Sequence, residues 1–198
     1  MSAGSPTRLR PHARFAELAA AMARAAALAT TWEGEFYRSC KVRYARSADL
    51  TSGAGSLRWG GRWNGPGVAR VVYGSATPEA AVSESLAGLR RAGIEPARAA
   101  PFVIAAVRAR FTALDLTAGA ALEALGLTAE ELAADRWWLA QGRGAESLTQ
   151  ALGRAAFEAG LGGLRVASRA VPGAVNLVVF VDRLGADGLL EGRDLDEA

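Results

Sequence analysis

The sequence predicts an α+β fold, and three observations point to it. The chain has 198 residues, 51% of them hydrophobic and 22% charged, which is ordinary globular composition and enough apolar material for one sizeable core. Strand-like and helix-like segments follow one another without the regular βαβ alternation of a doubly wound sheet. No internal repeat or heptad run is present, and the glycine cluster GAGSLRWGG lacks the G-x-G-x-x-G spacing of a dinucleotide fingerprint.

Element by element, residues 1–10 are small, polar and basic, and are expected to be disordered. Phe15, Leu18, Met22 and Leu28 stand near helical spacing in an alanine matrix, which predicts a helix over 11–30. A short strand is expected at 35–38, then a long Gly-rich, Trp-containing loop over 47–67. A loop of that length is commonly functional. A strand follows at 68–75. Thr77 then offers an N-cap with Pro78 at the first helical position, opening a helix to about Arg91 that ends at Gly93. Beyond it come a buried strand at 101–109 and a short edge strand at 111–116. Thr128 and Glu131 form a capping box for a helix to Gln141. A second helix covers 145–159. Two last strands, 163–167 and 174–182, bracket a turn with Pro172 and Gly173.

Composition excludes several functions. Cys40 is the only cysteine and His12 the only histidine, so a disulfide framework, a structural zinc site and a histidine-based triad are excluded, and no metal site is expected. An enzyme built from this chain works with carboxylates, arginines and hydroxyls. Formal net charge is +3, with Lys41 the sole lysine among 23 basic residues. Residues 1–48 carry eight basic and three acidic groups, and 182–198 carry two basic and six acidic. Solvated termini explain that polarity more simply than a nucleic-acid footprint does. The stretch from Leu18 to Thr31 is too short and too weakly apolar to span a membrane, and a cytoplasmic location is expected.

Taken singly, the candidate functional residues have ordinary explanations. Gly60-Gly61-Arg62-Trp63-Asn64 is either a tight turn or a place where backbone and a guanidinium approach a phosphate. Tyr73 closes a strand. Glu84 sits two turns into a helix among Ala80, Ala81 and Gly88. Arg38 ends a strand and faces either solvent or a cleft. Ser168 and Asn176 flank a turn, and the pair Trp137–Trp138 reads as core or interface.

Their order says more. Arg38, then GGRWN, then VVYGS-x-x-PE-x-A-V-x-E, then S-x-x-VPG-x-x-NLVVF resembles the RES-domain family over roughly residues 35–182. The resemblance implies an ADP-ribosyltransferase-like fold, with mixed and antiparallel sheets and flanking helices. It divides the chain into an N-terminal extension (1–30), a RES domain (31–184) and an acidic tail (185–198). It implies a toxin that cleaves the nicotinamide–ribose bond of NAD⁺ by phosphorolysis or hydrolysis. NAD⁺ is then a substrate, inorganic phosphate a candidate co-substrate, and no cofactor is expected. By motif position Glu84, Arg62 and Tyr73 are the expected catalytic residues. Arg38 and Ser168, with Gly61, Asn64, Ser75 and Asn176, are the expected substrate contacts. The family also implies an Xre-like helix-turn-helix antitoxin as partner and a homodimer, with no direct nucleic-acid binding. Ser39 follows Arg38 where some members carry an aromatic residue. The closing NLVVF follows one branch of the family, which leaves phosphate, water and a protein all open as acceptor. The alternatives are an ADP-ribosyltransferase with a protein target and a non-enzymatic, arginine-rich nucleic-acid-binding module.

Overall fold

The computed structural model describes residues 8–99 and 101–193. In chain order the elements are α1 (Phe15–Ala25), β1 (Thr30–Lys41), α2 (Ser47–Thr51), α3 (Ala54–Trp59), β2 (Val71–Ser75), α4 (Pro78–Arg91) and α5 (Pro96–Ala99). They continue with β3 (Phe102–Asp115), α6 (Gly119–Leu125), α7 (Ala129–Ala134), α8 (Trp137–Gly142), α9 (Leu148–Glu158), β4 (Gly163–Ala167), β5 (Val175–Phe180) and β6 (Leu189–Gly192). Short 3₁₀ turns follow α1, β1 and β5. The fold is α+β, as expected.

Strand order is β1-β2-β5-β4-β3-β6, and β1 pairs with β3 as well, so the hydrogen-bonded ladder closes through β1, β2, β5, β4 and β3. Every pairing is antiparallel except β3 with β4. The sheet is therefore mixed. One core lies between the sheet and α1, α6 and α9, where Leu18, Met22, Leu152, Leu164 and Phe180 are fully buried. A second lies on the other face, around Phe36, Val72, Val107, Phe111, Leu177 and Val179.

Two strands are longer than the sequence suggested. The segment expected as two strands is one, β3, with Ala105, Val107, Ala109, Phe111 and Ala113 turned inward and Arg108 and Arg110 outward. β1 runs from Thr30 to Lys41 where 35–38 was expected, because it pairs with β3 along its whole length, from Thr30 opposite Ala113 to Lys41 opposite Phe102. Much of β1 is polar, so that partner and not its own propensity holds it extended.

The region expected as a loop over 47–67 contains α2 and α3, pinned by buried Leu50 and by the left-handed Gly53 between them. The helix expected over 128–141 begins with the expected capping box but breaks at Asp135 and Arg136 into α7 and α8. The break has a cause. Asp135 Oδ2 accepts hydrogen bonds from the Thr149 backbone N–H (2.9 Å) and the Ser147 hydroxyl (2.8 Å), so its side chain serves the start of α9.

The chain ends also depart from expectation. Residues 1–7 and 194–198 lie outside the described residues. Residues 8–10, expected to be disordered, are tied down: Arg10 N–H donates to Gly144 O and Glu146 N–H to Arg10 O, each at 2.9 Å. α1 is part of the main core, and within 185–193 the strand β6 pairs with β3. No helix among the described residues is long and apolar enough to cross a membrane.

α4 follows the sequence expectation closely. Thr77 Oγ1 accepts the Ala80 N–H at 3.2 Å, Pro78 opens the helix, and Gly93 after it has φ +69°. Thr77→Ala should cost about 1 kcal/mol. Thermal unfolding should show it as a Tm lower by about 2–4 °C.

Candidate functional site

A cleft of about 470 Å³ opens between α4, the β2–β5 edge, the Gly60–Trp63 turn and the start of α8. That volume is in the range of small-molecule sites, about 300–1,000 Å³. Of the residues expected at a site, Arg38, Gly61, Arg62, Tyr73, Ser75, Glu84 and Asn176 line it. Ser168 and Asn64 do not. Asn64 is buried, and Ser168 meets the cleft through Glu84, to which it donates.

Glu84 is brought to the wall by α4 and fixed there by its partners. Its Oε1 accepts hydrogen bonds from Ser168 Oγ (2.7 Å), Asn176 Nδ2 (2.7 Å) and the Arg169 backbone N–H (3.2 Å). Asn176 is oriented in turn by Ser75, whose hydroxyl donates to Asn176 Oδ1 at 2.8 Å across the β2–β5 ladder. Ser168 is aimed by its turn, accepting the N–H groups of Ala170 (3.2 Å) and Val171 (3.1 Å). Burial alone pushes the Glu84 carboxyl up, but hydrogen bonds from Ser168, Asn176 and the backbone outweigh it and hold the pKa below the usual value. Glu84 is therefore a carboxylate at neutral pH. Its contribution to stability is present above the unfolded carboxyl pKa and is lost as pH falls through the lower folded one.

The GGRWN turn is held from behind. The Tyr73 hydroxyl accepts the Trp63 N–H (3.0 Å) and donates to Asn64 Oδ1 (2.6 Å), and burial pushes its pKa above the usual phenol value. A Cβ on Gly61 would lie 2.7 Å from that hydroxyl, so only glycine lets the turn lie against the tyrosine ring. Asn64 is 1% exposed, and its amide donates to Ser56 O at 2.9 Å. Its place is in the scaffold of the turn. From α9, Thr149 Oγ1 donates to Arg62 O (2.7 Å) and Gln150 Nε2 to Gly61 O (3.0 Å).

The cleft is rich in arginine. Its charged lining is Arg38, Arg62, Arg91 and Arg169 against Asp49 and Glu84. Among the described residues none of these four arginines forms an ion pair. Arg62 donates to Leu132 O at 2.6 Å, and its buried Nε has no hydrogen-bond partner. Burial first, then the neighbouring charge of Arg169, bring its pKa down to about 10, which still leaves it cationic at neutral pH. Arg38 donates to Leu50 O, and burial lowers its pKa too. Desolvated cations without carboxylate partners are costly and make the cleft receptive to an anion. Among the described residues no group of three His, Cys, Asp or Glu side chains is placed to hold a metal ion.

Sequence reasoning missed Arg91, Arg169, Tyr37 and Trp137 as cleft residues. Arg91 stands seven residues after Glu84, two helical turns along α4, and that spacing could have found it. Arg169 directly follows Ser168. Nothing local marks Trp137, because the helix break that turns it inward depends on Asp135 meeting α9.

The fold and cleft together define an α+β protein whose cleft sets an ionised carboxylate among arginines that form no ion pair among the described residues. The model of the RES domain matches residues 35–193, and the chain belongs to the RES domain family. A chain in the crystal structure of the M. tuberculosis MbcT–MbcA toxin–antitoxin complex superposes with a TM-score of 0.68 and 25% identity, covering 89% of this chain and 91% of that one. No curated protein matches.

Proposed function

We propose that this chain is the toxin of a toxin–antitoxin pair and that its cleft binds NAD⁺ and cleaves the nicotinamide–ribose bond. The observation that carries the reading is Glu84, an ionised carboxylate held by Ser168 and Asn176 on the wall of a cleft that also presents four arginines without carboxylate partners. As the bond from ribose C1′ to the nicotinamide nitrogen breaks, its electron pair leaves with neutral nicotinamide. Positive charge develops on the ribose. Glu84 stabilises that charge, as carboxylates do in glycoside hydrolysis. Water or inorganic phosphate then forms the new C1′–O bond, water losing a proton in doing so. Arg62 and Arg38 hold phosphoryl oxygens, and Tyr73 and Gly61 shape the turn that presents Arg62. The similarity to a toxin–antitoxin complex supports a toxin role and a protein antitoxin as partner.

The direct test follows NAD⁺ loss and nicotinamide release by the purified protein, with and without inorganic phosphate. Loss that needs phosphate identifies phosphorolysis, and loss without it identifies hydrolysis. Label from NAD⁺ on a protein band identifies transfer. No loss and no transfer overturns the reading, and nucleic-acid binding that falls steeply with salt would replace it with the binding-module alternative.

The hydrogen bonds to Glu84 make a pH prediction. Ser168→Ala removes a donor that favours the ionised form, so the Glu84 pKa rises. The acid limb of the NAD⁺-loss profile should move to higher pH while the rate at pH 8 changes less. An unmoved limb means that Glu84 ionisation does not govern the rate.

A further inference from the structure

The pair Trp137–Trp138 is not absorbed by the chemistry above, and it does not lie in the core. Trp138 faces two guanidinium groups, Arg91 at 4.7 Å and Arg169 at 5.7 Å from its ring centroid. Trp137 meets Arg91 at 6.0 Å and stands edge-on to Trp138 with centroids 6.3 Å apart. Arg169 is also held by donation to Asp135 O at 2.9 Å. Arg169 is close enough to disfavour the charge of Arg91 and that of Arg62. Among the described residues no carboxylate forms an ion pair with Arg91 or Arg169. Two like charges side by side in this way need something to offset their repulsion. The negative face of an indole ring does so without neutralising them.

We infer that Trp138 is a positioning residue that holds Arg91 and Arg169 together as a clamp for phosphoryl oxygens on the rim of the cleft. Both arginines line the cleft together with Arg62 and Glu84, so an anion they hold lies in the same space as the carboxylate. The helix break at Asp135 and Arg136 builds the clamp, supplying the carbonyl for Arg169 and turning α8 toward the cleft. The phosphoryl oxygens can belong to the diphosphate of a dinucleotide or to free inorganic phosphate. The inference rests on the proposal that the cleft takes a phosphate-bearing ligand.

The test is calorimetric titration of the full chain with inorganic pyrophosphate and, separately, inorganic phosphate, on wild type, W138L, W138F, R91A/R169A and the triple variant. W138L should weaken pyrophosphate binding roughly tenfold, and W138F, which keeps a ring face, should restore most of it. In the R91A/R169A background W138L should have almost no further effect, because its role runs through those two side chains. A larger loss for pyrophosphate than for phosphate assigns the clamp to a diphosphate, and the converse assigns it to the free anion. With NAD⁺ as substrate, W138L should raise KM with kcat nearly unchanged. The inference is overturned if wild type binds neither anion. It is overturned equally if W138L weakens binding as much without the arginines as with them, or if W138F behaves like W138L. Wild type that binds pyrophosphate and leaves NAD⁺ intact sinks the functional proposal alone. NAD⁺ consumption with an unmoved KM in W138L sinks the clamp alone.

Discussion

Glu84→Gln should slow NAD⁺ loss about 10³-fold, equivalent to about 4 kcal/mol on the barrier. The change is nearly isosteric. A glutamine oxygen can still accept from Ser168 and Asn176, the donors that hold the carboxylate at 2.7 Å, so the side chain should keep its place. What disappears is the negative charge that the proposed mechanism sets opposite a developing ribose cation. That interaction is strongest in the transition state, so kcat should fall with little change in KM. The neighbouring arginines sharpen the effect. Glu84 favours the charged forms of Arg62 and Arg91, so the variant leaves a more strongly positive cleft facing a positive transition state. Steady-state nicotinamide release, with circular dichroism as a check on folding, reads the outcome. A folded variant that keeps a tenth or more of wild-type kcat would remove Glu84 from the mechanism.

Gly153→Ala should destabilise the protein by about 3–4 kcal/mol, lowering Tm by about 10 °C, and should abolish activity. In an exposed helix interior the same change stabilises by up to about 1 kcal/mol. At 153 the added Cβ would lie 1.7 Å from Trp63 O and 2.6 Å from its carbonyl carbon. The obstacle is backbone, which no rotamer change can relieve. α9 and the GGRWN turn must separate, and separation breaks the bonds from Thr149 to Arg62 O (2.7 Å) and from Gln150 to Gly61 O (3.0 Å). Gly88→Ala in α4 is the control, because nothing lies within 4 Å of its added Cβ and it should be neutral or mildly stabilising. Equal Tm values for the two variants would mean that α9 is not held against the turn.

Several cleft positions follow from local signals, while their grouping into one site rested on the order of the motif residues along the chain. The Thr77 cap, Pro78 and the helix to Arg91 place Glu84, and each is decided within a few residues of itself. The turn at Pro172 and Gly173 brings Ser168 and Asn176 near each other for the same reason. Asn64 shows where motif position falls short. It stands in the same block as Arg62, yet it points into the scaffold, because its amide meets the Ser56 carbonyl at 2.9 Å. Ser168 is likewise absent from the cleft lining and meets it through its hydrogen bond to Glu84.

By itself, then, the sequence determined the α+β class, the helix that carries Glu84, the Thr128 capping box and the order of the motif residues. These rest on caps, turn residues and hydrophobic spacing, whose partners lie within one or two helical turns. Only the tertiary structure decided the full length of β1 and β3, the pairing of β6, the break between α7 and α8, and the admission of Arg169 and Trp137 to the cleft. Each depends on a partner distant in the chain: β3 for β1, the start of α9 for Asp135, and Asp135 O for Arg169. Such contacts form when packing closes the domain and repays the entropy of bringing distant segments together, and short-range sequence patterns carry no record of them.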